Sequence, residues 1–104
     1  MSILKKIFNK QEEVNYKELV GRGAVVLDVR GKSEFVSGHV KGAINIPLDV
    51  LGSRLHELGA KDTEIITCCL SGGRSSMAKS ILYAAGYTNV HNGGGWQTVH
   101  KKLQ

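Results

Sequence analysis

Apolar positions along the chain fall into short runs that alternate between two periods. GAVVLDV (residues 23–29) is a β-branched run after a Gly-Arg-Gly turn, and it predicts a buried strand. KSEFVSGHVKGA follows, where Ser33 is expected to cap a short helix that Gly38 ends. INI (44–46) predicts a brief strand closed by Pro47. LDVLGSRLHELG (48–59) places Leu48, Leu51, Leu55 and Leu58 at helical spacing, with Gly59 as the stop and Gly52 as a weak point. TEIITCC (63–69) predicts the second strong strand. RSSMAKSILYAAGY (74–87) puts Ala78, Ile81, Leu82 and Ala85 on one helical face. NVH (89–91) predicts a short strand, and GGGWQTVHKKL a closing helix whose lysines suit its C-terminal dipole.

Strands alternating with helices in this rhythm predict an α/β domain with a largely parallel sheet. The functional cleft of such a sheet lies beyond the carboxyl ends of its strands. Cys69, the Asp28/Arg30 pair and the His91/Asn92 pair end three separate predicted strands, so they converge on one face.

Composition narrows the function classes. A chain of 104 residues is the size of one domain, and it buries enough surface to fold without metals or disulfides. The domain is expected over 13–104, preceded by an N-terminal segment, 1–12, that docks loosely. That segment, MSILKKIFNKQE, lacks the apolar core of a signal peptide. No apolar stretch approaches the ~20 residues of a membrane span, so no membrane partner is expected. The net charge of +5 is spread over the chain without a basic stripe interleaved with aromatics. Nucleic acid is therefore not an expected partner, whereas a positive field would gather small anions. The four histidines show no metal-ligand spacing, and adjacent cysteines are not a zinc pair, so no metal or cofactor is expected. Two cysteines with no disulfide framework fit a cytoplasmic protein.

Those two cysteines are neighbours, in IITCCLSGGRSS (65–76). A bridge between them would close almost no loop and could not staple a fold. Neighbouring side chains on a strand face opposite ways. Cys68 is expected to pack as a small buried hydrophobe, and Cys69, at the strand's mouth, to be the reactive one. Leu70, Ser71, Gly72 and Gly73 separate Cys69 from Arg74, where a helix begins. A turn from strand into helix leaves backbone N–H groups unpaired, and two glycines let them curl around one point. A free thiol is only ~3% thiolate at pH 7, and lowering its pKa by about two units makes most of it anionic. The same ring of amides suits a terminal sulfur carried as a persulfide, or a bound oxyanion. The plainer alternative is that both cysteines pack and the glycines only turn the chain.

CLSGGRS resembles the active-site loop of single-domain rhodanese-like sulfurtransferases. LDVRGKSEFVSGHVKGAINIP (27–47) is similar to that family's other signature, and AAGYTNVHNGGGW to its closing section. The resemblance spans roughly 15–100. It implies a single domain with a mostly parallel five-stranded sheet flanked by helices on both faces. It also implies catalysis by Cys69, which takes a sulfane sulfur from thiosulfate, a persulfide or a polysulfide. The acceptor would be thiophilic: cyanide, a thiol or a thiol-bearing carrier protein. Leu70, Ser71, Gly72, Gly73 and Arg74 would hold the substrate, with Arg74 also anchoring the loop. Phosphatases and arsenate reductases of the same fold have a loop one residue longer, so that activity stands second among enzymes. A non-catalytic or redox-sensing module is the alternative from another class. Uncharged Leu70 and Gly73 offer a doubly charged donor few cations, so a less charged persulfide fits at least as well as thiosulfate.

Other polar residues have two readings each. Arg30 either adds positive field at the substrate site or joins Asp28 and Glu34 in an ion-paired cluster that shapes the loops. His39 is expected to bond backbone and fix its turn, and His91 to sit on a polar rim. Trp96 is expected either at the pocket mouth or against the sheet, and Met77 to pack as its helix leaves the loop.

Overall fold

Ile65–Cys69, buried along its whole length, is one of the two inner strands of a parallel sheet. The structure is a computed structural model that describes residues 14–104, so the segment expected at 1–12 lies outside it. The chain runs α1 (Tyr16–Gly21), β1 (Val25–Asp28), α2 (Lys32–Val36) and β2 (Ile44–Asn45). Two 3₁₀ stretches follow, Leu48–Ser53 and Leu55–Leu58. Then come β3 (Ile65–Cys69), α3 (Gly73–Ala84), β4 (Val90–Gly95) and α4 (Trp96–Lys102).

The strand order is β2-β1-β3-β4, with every pair parallel. The resemblance implied five strands, and the described residues form four. The other described residues form helices, turns and irregular connections, with no fifth strand among them. Asp28 lies opposite Cys68, and Gly95 opposite Cys69, which brings the carboxyl ends of β1, β3 and β4 together.

Strand alternation divides the core into two layers. Ile65 and Cys69 join Leu27, Val29, Ala78 and Leu82 on the side of α3. Ile66 and Cys68 join Tyr16, Leu19, Val26 and Val99 on the side of α1 and α4. Each fully buried leucine or isoleucine contributes about 1.5–3 kcal/mol of transfer free energy, so both faces of the sheet are fastened. Among the described residues no helix is long and apolar enough to cross a membrane.

Two local expectations need correction. Residues 48–59 were expected to form one helix and form two 3₁₀ stretches. The bonds run from Val50 N–H to the Pro47 carbonyl, from Arg54 to Leu51 and from Glu57 to Arg54, all three residues apart. Gly52 favours no helix, and Arg54, at φ −123°, ψ 21°, breaks the run. Leu51 and Leu58 still reach the core, because 3₁₀ and α spacing place similar faces inward over one turn. The short α2 begins after Gly31 rather than at a Ser33 cap. Glu34 makes the cap instead, its carboxylate accepting from the Gly31 N–H at 2.9 Å.

Candidate active site

The last residue of β3 and the first turn of α3 form the site. Cys69 Sγ accepts from the Gly72 N–H at 3.0 Å and from the Ser75 N–H at 3.3 Å. Both amides belong to the helix start, where no intrahelical carbonyl is available to them. Gly72 holds φ +111°, a left-handed conformation that a Cβ would strain, and this turns its N–H onto the sulfur. Burial pushes the Cys69 thiol up. Donation from Ser75 through its side chain and backbone, and from the Gly72 and Ser71 amides, outweighs burial, and the pKa falls below the ordinary value. Cys68 faces the other layer, fully buried. Its thiol is pushed up to about 12 by burial first and by Asp28 second.

The loop's outer residues are open. Leu70 is 62% exposed, and Ser71 and Gly73 are exposed. Its floor is bare backbone from β4, since a Cβ on Gly95 would sit 2.9 Å from the Leu70 carbonyl oxygen.

Arg74 points its guanidinium at α2. It donates to both oxygens of Glu34, at 2.8 and 2.9 Å, which ties the start of α3 to the start of α2. Glu34 is pulled down to about 2, chiefly by Arg74 and then by the Gly31 N–H. Arg30 is not in this pair. It is buried and donates to both Asp28 oxygens, at 2.7–3.1 Å, and to the Gly38 carbonyl at 2.7 Å. Its guanidinium lies 4.9 Å from the centre of the Trp96 ring. Asn45 completes this knot by donating to the Asp28 and Arg30 carbonyls. The cluster expected of Asp28, Arg30 and Glu34 is thus two separate ion pairs, because Glu34 lies within reach of Arg74 instead.

The model of the rhodanese-like domain matches residues 12–102. The chain belongs to the rhodanese-like family. It is 38% identical to the thiosulfate sulfurtransferase PspE of Escherichia coli over 70% of this chain and 71% of that protein. A rhodanese structure from E. coli, determined with anions, is similar at a TM-score of 0.70 and 36% identity, covering 73% of this chain and 91% of that one. The human single-domain sulfurtransferase TSTD1 is similar at a TM-score of 0.73 and 26% identity, covering 86% and 92%.

Within this rhodanese-like frame, the structure adds two polar residues to the loop. Ser75 is fully buried; its N–H donates to the Cys69 sulfur, and its hydroxyl lies 3.0 Å from the Gly72 carbonyl. Asn92 on β4 accepts from that hydroxyl at 2.6 Å. Ser75 lies just outside the stretch, Leu70 to Arg74, that the resemblance implies as the substrate-holding loop. Its signal was its place in the first turn after a reactive cysteine, where an N–H is always free. The histidines divide. His39 Nδ1 lies 2.7 Å from the Phe35 carbonyl and its ring stacks on Phe35, as expected for a turn-fixing role. His91 was expected on a polar rim and is instead partly buried, tilted against Tyr16, with its pKa lowered by burial. β4 turns it towards the layer of α1 and α4, away from the loop. Met77, expected to pack, is 59% exposed. It walls a groove of about 570 Å³ with Val29, Pro47, Leu48, Arg74 and Ile81, beside the loop. Trp96 packs inward on Gly38 and Arg30.

Proposed function

We propose that this protein is a sulfurtransferase that carries a sulfane sulfur on Cys69. The observation that carries the reading is the donation of the Gly72 and Ser75 amides to one sulfur, at 3.0 and 3.3 Å, in a loop with four residues between Cys69 and Arg74. The Cys69 thiolate attacks the outer sulfur of the donor. The new S–S bond forms as the donor's S–S bond breaks, and sulfite or a thiolate leaves with the electron pair. The outer sulfur then rests among the amides of residues 70–74 as a persulfide anion. A nucleophile such as cyanide or a thiol attacks that sulfur, and the Cys69 thiolate departs with the bonding pair.

The two arginines nearest the strand ends, Arg30 and Arg74, each already hold a carboxylate. That supports a donor of low charge, a persulfide or polysulfide, ahead of thiosulfate. Arg74 acts mainly by anchoring the loop. The apolar groove beside Met77 suits the organic part of such a donor or of an acceptor. The reading places the protein in a reducing compartment such as the cytoplasm, where Cys69 stays a thiol.

Intact mass spectrometry tests the cycle. Glutathione persulfide is expected to add one sulfur atom, cyanide to remove it, and Cys69→Ser to prevent it. Thiosulfate is expected to load more slowly at equal concentration. Absence of a cyanide-labile sulfur with either donor overturns the transferase reading in favour of a non-catalytic or redox-sensing module. Hydrolysis of an aryl phosphate would favour a phosphatase.

A further inference from the structure

We propose that the groove between α1 and the end of α4 binds an amphipathic anion, an aliphatic chain ending in a carboxylate. The groove lies on the layer of α1 and α4, and no residue of the Cys69 loop lines it. The assignment therefore does not rest on sulfur transfer.

The groove has a volume of about 380 Å³, within the ~300–1,000 Å³ range of small-molecule sites. Val20, Val40 and Leu103 give it an apolar floor. Val40 is 1% exposed and packs in the cluster of Tyr16, Leu19 and Val99, so the floor is recessed into the core. The rim is cationic. Lys17 comes from α1 and Lys41 from the turn before β2, and no side-chain carboxylate lines the groove among the described residues. None of the ion pairs of the described residues involves either lysine. Lys17 Nζ reaches the Gln104 carbonyl at 3.4 Å, which sets its ammonium beside the groove. Lys101 and Lys102 add positive field from the last turn of α4.

Floor and rim ask for two things in one ligand. An aliphatic chain covers the valines and the leucine, and a terminal carboxylate meets the ammonium groups. Other occupants match less well. The chain's own segment 1–13 brings Ile3, Leu4, Ile7 and Phe8 together with Lys5, Lys6 and Lys10, so its apolar residues come with the rim's own sign of charge. A second copy meeting this face head-on sets lysine against lysine. A membrane surface meets the lysines but not a floor that sinks to Val40.

Titration of the intact chain with decanoate, followed by calorimetry and by tryptophan fluorescence, tests the site. Trp96 is the single tryptophan, and its ring centre lies 6.4 Å from that of His100 in the groove wall. Decanoate is expected to bind about tenfold more tightly than hexanoate, since its four further methylenes lie on the floor. Decylammonium is expected to bind at least about fivefold more weakly than decanoate, because the rim repels it. Lys17→Gln and Lys41→Gln are each expected to weaken decanoate about two- to fivefold. Val20→Ser is expected to shrink the advantage over hexanoate. All three side chains are exposed, and an unchanged urea midpoint shows that the variants fold. No saturable binding of decanoate up to about 1 mM overturns the proposal. So does equal affinity for decylammonium, binding indifferent to both lysines, or a chain-length advantage that survives in Val20→Ser. Three further results overturn it by giving the groove to another occupant. Decanoate binding that appears only when Ile7 and Phe8 are both changed to Ser gives it to the segment 1–13. A dimer in sedimentation that Val20→Asp dissolves gives it to a second copy. Sedimentation with phosphatidylserine vesicles, without decanoate binding, gives it to a membrane surface.

Discussion

Arg74 and Glu34 meet at the mouth of the Cys69 loop as a bidentate pair, with N···O distances of 2.8 and 2.9 Å. Forty residues separate them in sequence, so the pair fastens two helix starts that lie far apart along the chain. Both side chains remain partly open to solvent.

The acid sensitivity of that pair can be measured. Glu34 falls from 4.5 to about 2 on folding. A depressed carboxylate stabilises the fold above its unfolded value and stops doing so as pH falls through the folded one. The stability difference between the wild-type chain and Glu34→Gln is therefore expected to be full at neutral pH. It should shrink from about pH 4.5 and vanish near pH 2. Urea unfolding at a series of pH values, at low salt, checks this, since salt screens an exposed pair. A difference that is the same at every pH would count against the pair.

Gly72 and Gly73 should respond differently to a methyl group. Gly72 sits at φ +111°, whereas Gly73 is helical and nothing lies within 4 Å of a Cβ placed on it. Gly72→Ala is expected to cost about 1–2 kcal/mol and to turn its N–H off the sulfur, raising the alkylation midpoint of Cys69. Gly73→Ala is expected to leave stability and midpoint nearly unchanged. Equal behaviour of the two variants would remove the left-handed turn from the explanation.

Cys68 and Cys69 should separate stability from reactivity. Cys68→Ser places a hydroxyl in a fully buried apolar cluster and is expected to destabilise by about 1–3 kcal/mol. Its cyanide-labile sulfur should persist. Cys69→Ser is expected to fold and to hold none. Chemical denaturation and intact mass give the two readouts, and loss of sulfur loading in Cys68→Ser would reverse the assignment.

The knot at the end of β1 should matter for folding far more than for sulfur. Asp28 is fully buried and is the carboxylate partner of buried Arg30. Asp28→Asn leaves that guanidinium uncompensated and is expected to cost about 3–5 kcal/mol. At temperatures where the variant is folded, the alkylation midpoint of Cys69 should stay close to that of the wild-type chain. A shift larger than about 0.5 pH unit would tie Arg30 to the reacting sulfur.

Periodicity made the sheet and its two layers legible. GAVVLDV and TEIITCC are β-branched runs between turns, and burial on both faces leaves such runs few other uses. Alternation also puts Cys68 and Cys69 on opposite faces. The segment 48–59 misled, because leucines spaced three and four apart serve a pair of 3₁₀ stretches as well as an α-helix. The choice lay with Gly52 and the backbone of Arg54. In the site, the amide ring followed from a strand-to-helix turn with glycines. The partners of its charged groups did not. Arg74 with Glu34, and Ser75 with Asn92, join residues 40 and 17 positions apart. Such pairings depend on how α2 and β4 fall beside α3, which no local pattern encodes.

The pleat that sends Cys68 to one side of β3 and Cys69 to the other also decides how the protein recovers from oxidants. The chain has no other cysteine, so no thiol of its own can reach a sulfenic acid formed on Cys69 and close a disulfide. Repair must come from a thiol arriving from solution, over the exposed outer side of the loop at Leu70 and Ser71. In the proposed cycle, a thiol that takes sulfur from Cys69 and a thiol that repairs it would reach the same atom by the same route.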